Sequence, residues 1–134
     1  MSLITDFEKQ LNDAKKLSKL KMEYVVDLAY NFVKEYLVDN NRAKVKSHQL
    51  RRFFNAIKSV KINVERNESF SEKEKIKIIM LRPQLENARA KEPKLKELSE
   101  ICSKMIMSIN DIDDFKTFAN FFESIVAFHK PYEK

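Results

Sequence analysis

The sequence predicts an all-α fold, a compact bundle of five to six helices whose neighbours run mostly antiparallel. Three observations lead there. The 134 residues contain no glycine, and hairpin turns, phosphate loops and most left-handed helix caps favour glycine because a Cβ is costly at positive φ. Pro83, Pro93 and Pro131 are the only strong breakers. Between them, apolar residues recur every three to four positions among Lys, Glu, Leu and Met, side chains that lose little freedom in a helix. At this length one domain, 1–134, is expected, burying roughly two-thirds of the surface that the unfolded chain exposes.

Residues 3–20 carry Ile4, Phe7, Leu11, Ala14 and Leu17 on one face, which predicts an N-terminal helix. From Met22 a second pattern runs through Val25, Leu28, Ala29, Phe32, Val33, Tyr36 and Leu37, and stops at the turn-forming Asp39-Asn40-Asn41. After the polar connector NRAKVK, Ser47 suits the N-cap of a third helix with Leu50, Phe53, Phe54, Ile57, Val60 and Val64 inward. Ser71 and Glu74 form a capping-box pattern that opens a helix through Ile76, Ile79, Met80 and Leu81. Pro83 kinks that helix or starts the next. Pro93 then opens a helix with Leu95, Leu98, Ile101, Cys102, Met105 and Ile106 inward. The acidic run Asp111 to Asp114 suits the start of the last helix, as cap and against the helix dipole. In that helix Phe115, Phe118, Ala119, Phe121, Phe122, Ile125, Val126 and Phe128 cover about half the circumference. It is therefore a central core helix, or a core helix that also touches a partner. His129, at its end, reads as a packed ring with one nitrogen bonded to a free carbonyl.

Charge is unevenly distributed. Residues 42–66 hold eight Lys/Arg against one Glu, a local net of +7, so the rest of the chain carries −1 of the total +6. Arg51, Arg52, Asn55 and Lys58 share the outward face of the third helix. A second basic group, Arg82, Arg89, Lys91, Lys94 and Lys96, is diluted by Glu86 and Glu92. A concentrated cationic strip is the footprint of a polyanion partner, or else a solvated helix face. Without Trp, and with its apolar side committed to the core, the strip fits nucleic acid better than a membrane surface. The expected mode is phosphate contact without sequence readout. Phe53, Phe54 and Phe70 can be read as base-stacking groups or, by helical spacing, as core.

Other chemistry is not indicated. No apolar run reaches the roughly 18 residues of a membrane span, and MSLITDFEKQ does not read as a signal peptide. The single Cys102 excludes an internal disulfide, fits a cytoplasmic protein and reads as core. Asn67-Glu68-Ser69 matches a glycosylation sequon that has no role without export. His48 and His129 lie far apart without metal-ligand spacing, so no metal, cofactor or catalytic residue is assigned, and a non-enzyme is expected.

Three stretches together resemble the small helical subunit of type III-A (Csm-type) CRISPR effector complexes. SHQLRRFF (47–54) is similar to that family's signature of a cap, a glutamine, then a basic residue before an aromatic pair. LRPQLENARAK (81–91) resembles its Leu-x-Pro-x-Leu segment leading to a basic residue. FKTFANFFESIVAFHK (115–130) is similar to its phenylalanine-rich last helix. The resemblance covers roughly Met22 to Lys130. Asn87 stands where the family usually has an aromatic and Lys91 where Arg is usual, and nothing is carried onto the helix of residues 1–20, which is longer than the resemblance implies.

The resemblance implies a non-catalytic structural subunit that contacts the guide RNA–target RNA duplex in antiviral defence. Its implied partners are both RNAs, the backbone and large effector subunits, and neighbouring copies of itself. Gln49, Arg51, Arg52 and Lys91 are the RNA-binding candidates that it transfers, and the charge pattern adds Lys58, Arg82 and Arg89. The alternative expectation is a helical protein–protein adaptor without RNA contact.

Overall fold

The computed structural model describes residues 2–133. Seven α-helical segments follow in order: α1 Leu3–Ala14, α2 Met22–Phe32, α3 Ser47–Asn67, α4 Glu72–Ile79, α5 Leu81–Lys91, α6 Lys96–Met107 and α7 Ile112–His129. Met80 alone separates α4 from α5 and is itself in the right-handed helical region. The two make one bent rod, so six rods pack as the all-α bundle that the sequence predicts. Among the described residues no helix is long and apolar enough to cross a membrane.

Helix α7 is the centre. It packs against α2, α3 and α6, and its Phe115, Phe118, Phe121, Phe122 and Ile125 are buried. The wide apolar arc is thus occupied by the chain's own core, and only its edge, Val126 and Phe128, is half-exposed. Asp111 caps α7 as expected, its side chain accepting from Asp114 N at 2.9 Å.

Three expectations are corrected by packing. The N-terminal helix does not run to residue 20: it ends at Lys15, which takes the left-handed region (φ 68°), and Leu17–Lys19 form a separate 3-10 turn. Breaking there lets Leu17 bury completely while Lys16 reaches Asp111 and Asp114. A hairpin forms without glycine. α2 widens into a π-helical turn, Val33–Leu37, and two short antiparallel strands follow, β1 Val38–Asp39 and β2 Arg42–Ala43. Their two-residue turn needs positive φ twice, and Asn40 (51°) and Asn41 (61°) supply it, since asparagine tolerates that region better than most residues. Finally, Ile76, Ile79 and Met80 point outward, each more than 40 % exposed. The bent rod instead inherits the inward face of Leu81 and Leu85, which continues backwards through Ile78 to Glu74.

Candidate nucleic-acid interface

Helix α3 carries the cationic strip because its five buried residues, Leu50, Phe53, Ile57, Val60 and Val64, occupy a single stripe. That leaves Arg51, Arg52, Asn55 and Lys58 exposed, as their spacing predicts. Of the eight basic residues between 42 and 66, only Lys61 has a carboxylate within 4 Å among the described residues, Glu123 at 3.7 Å. The positive potential of the strip is therefore largely uncompensated at contact range.

The start of α3 is held by the C-terminus rather than by its own serine. Ser47 is the first helical residue and Lys46 occupies the cap position. Lys46 has no acceptor in its side chain, so a carboxylate remote in sequence does that work: Glu133 accepts from Ser47 N. Accepting that hydrogen bond holds the Glu133 carboxyl below its usual range. Gln49 Oε1 accepts from Lys46 N at 3.2 Å, which fixes its amide and leaves the NH2 group directed elsewhere. Just upstream, the buried His129 ring bonds the Val45 carbonyl through Nε2 at 2.7 Å. The carbonyl can only accept, so Nε2 carries the proton. Burial lowers the His129 pKa, against the upward pull of the Val45 bond and of Glu133, and the ring is kept neutral. The sequence reading of a packed ring bonded to a carbonyl holds, but the carbonyl belongs to the connector before α3 and not to a helix end.

Between the first turns of α3 and the end of α5 lies a depression of about 180 Å³, lined by His48, Gln49, Arg52, Phe53, Ala88, Lys91 and Leu95. It brings together three of the residues expected to bind RNA, Gln49, Arg52 and Lys91, over an apolar floor of Phe53 and Leu95, both at most 3 % exposed. His48 joins them and was missed by sequence reasoning. Its signal was available, because His48 and Arg52 are four apart and lie on one helix face.

The remaining candidates sit elsewhere. Arg51 and Lys58 are exposed on the flank of α3 roughly 100–120° away from Arg52. On α5, Arg82 and Arg89 take the flank opposite Lys91. Arg89 is paired with Glu86 at 3.5 Å. Arg82 lines a separate recess with Ile79, Met80, Pro83, Glu86 and Ser103, and its buried Nε has no hydrogen-bond partner among the described residues. The base-stacking reading of the phenylalanines is not supported. Phe53 is buried, Phe54 is half-buried against the core, and Phe70 stacks on Phe115 with centroids 5.2 Å apart.

Residues 19–134 match the family model described as Csm2 Type III-A. The match leaves out α1, the segment onto which the resemblance carries nothing. No curated protein and no solved structure matches the chain.

Proposed function

The chain belongs to the Csm2 Type III-A family, and is thereby a subunit of a type III-A CRISPR effector complex; from this premise we propose that it is a non-catalytic structural subunit whose α3–α5 surface contacts the guide RNA–target RNA duplex. The observation that carries this reading is the convergence of Gln49, Arg52 and Lys91 in one depression at the head of a largely uncompensated cationic helix. Two cations and an amide over an apolar floor suit phosphate and ribose, so the duplex is held by shape and charge and not by base identity. The backbone and large subunits and neighbouring copies of this chain are its proposed protein partners, with the cytoplasm as the place of assembly.

The non-catalytic role is supported by the commitment of Cys102, His129 and Asp114 to structure. Cys102 is fully buried and its thiol pKa is pushed up by desolvation. His129 is bonded to Val45, and Asp114 serves three donors.

The test uses the assembled complex. If about four phosphates of the incoming single-stranded target RNA are contacted, each contributing a salt slope near −0.7, its binding through this surface weakens roughly fiftyfold between 50 and 200 mM salt. Reversing Arg52 and Lys91 to Glu together lowers affinity and flattens that slope. Affinity indifferent to salt and to the reversal overturns the reading. The adaptor alternative draws support from the exposed Ile76, Ile79 and Met80. It prevails if the chain co-purifies with protein subunits while its charge reversals leave RNA binding untouched.

A further inference from the structure

A second recess borders the start of α3. Its volume is about 430 Å³, and it is lined by Arg42, Ala43, Val45, Lys46, Tyr132 and Glu133. That lies within the range of small-ligand pockets, roughly 300–1,000 Å³. One wall is the β1–β2 hairpin with the connector after it, and the other is the 3-10 turn that follows α7. The two walls are tied together by His129 to Val45 and by Glu133 to Ser47.

The chemistry of the lining is specific. Tyr132 is half-exposed, and Lys34 fixes its ring from the π-helical turn after α2 by donating to the phenolic oxygen at 3.1 Å while lying 5.0 Å from the ring centroid. Arg42 and Lys46 are exposed cations on the opposite wall, with no carboxylate within 4 Å among the described residues. Among the described residues the single carboxylate in the recess, Glu133, already accepts from the α3 N-terminus. A held aromatic ring and two cations that share the lining of one recess of this size suit a nucleotide, with a base on the ring and a phosphate on the cations.

The geometry points to this recess as a binding site for one unpaired nucleotide of single-stranded RNA, its base stacked on Tyr132 and its phosphate held by Arg42 and Lys46. It rests on the RNA-contact reading and deepens it. Lys46 lines this recess, whereas His48 and Gln49 line the depression. A strand crossing the head of α3 therefore passes from one to the other within a few residues of the same helix start. The duplex surface reads backbone, and this recess takes a base outside the duplex.

Ultraviolet cross-linking of the reconstituted effector complex to target RNA, followed by peptide mass spectrometry, tests the site. A nucleotide adduct on Tyr132 is expected. Tyr132→Leu is expected to weaken RNA binding roughly tenfold, from the loss of one base–aromatic stack, whereas Tyr132→Phe, which keeps the ring and loses only the Lys34 bond, keeps most of the affinity. Arg42→Ala, an exposed change outside the core, lowers affinity severalfold and guards against a folding defect at Tyr132. Adducts confined to the α3–α5 depression, with Tyr132→Leu and Arg42→Ala both binding as wild type, overturn the nucleotide site and leave the RNA-contact reading standing. No adduct anywhere on this chain, together with binding indifferent to Arg52→Glu and Lys91→Glu, overturns the RNA-contact reading and the nucleotide site with it.

Discussion

Asp114 is fully buried in the first turn of α7, where its carboxylate accepts from Lys16 Nζ at 2.8 Å, Ser18 N at 2.9 Å and Asn110 N at 3.0 Å. Burial alone raises its pKa, but the hydrogen bonds from Lys16, Asn110 and Ser18 outweigh it and hold the carboxyl below its ordinary value. Stability from this site is therefore complete above the unfolded carboxyl pKa of about 3.9, and is lost as pH falls through the lower folded value. Asp114→Asn is expected to cost roughly 2–3 kcal/mol in urea unfolding at pH 7, and to flatten the acid side of the stability profile. His129 has the same sign for a different reason. Its pKa is lowered mainly by burial, so its contribution is present above the unfolded value of about 6.5 and fades with acid. His129→Leu leaves the buried Val45 carbonyl without a donor and is expected to cost about 1–3 kcal/mol. The gap to wild type should narrow on going from pH 7 to pH 5 in thermal unfolding, and His129→Gln, which can still donate, should recover part of the loss. The roles of both residues as cap neighbour and packed ring were readable from position alone. Their partners were not, because Lys16 and Val45 are remote in sequence and no local pattern encodes them.

A chain without glycine has to end its helices at some cost. α1 stops at Lys15 and α3 at Glu68, both at positive φ (68° and 52°), where a Cβ crowds the backbone. Lys15→Gly and Glu68→Gly are each expected to stabilise the protein by roughly 0.5–1 kcal/mol, as the relief of left-handed strain exceeds glycine's added entropy in the unfolded chain. Equilibrium denaturation of the two variants checks this. The same scarcity explains which elements the sequence disclosed. The amphipathic stripes of α2, α3, α6 and α7 and the turn at Asn40-Asn41 follow from periodicity and side-chain chemistry. The β1–β2 pairing does not, since two residues per strand leave no alternation to read. The buried face of α4 is not legible for a related reason. It spans only Glu72–Ile79, with apolar residues on more than one side, and its bend into α5 decides which side is buried.

At the scale of the molecule, the exposed apolar residues of α4 and the cationic face of α3 are separate surfaces with separate expected behaviours. Ile76→Lys combined with Ile79→Lys changes residues that are 51 % and 42 % exposed. It should alter folding stability by less than about 0.5 kcal/mol per site, yet weaken incorporation into the effector complex, measured by co-purification with the other subunits. Incorporation equal to wild type would show that this face contacts no subunit. The sequence by itself determined the helical class, the concentration of charge on 42–66 and the family, because composition, periodicity and ordered motifs are properties of the linear chain. Only the tertiary structure decided which cations meet. Helical phase can place Arg51 and Arg52 outward and set Arg82 and Arg89 opposite Lys91 on α5, but only the fold brings the first turns of α3 beside the end of α5, so that Arg52 and Lys91 line one depression. Only the fold brings Tyr132 into one recess with Arg42 and Lys46, since that depends on His129 and Glu133 tying the segment after α7 to the head of α3 through contacts that no local spacing specifies.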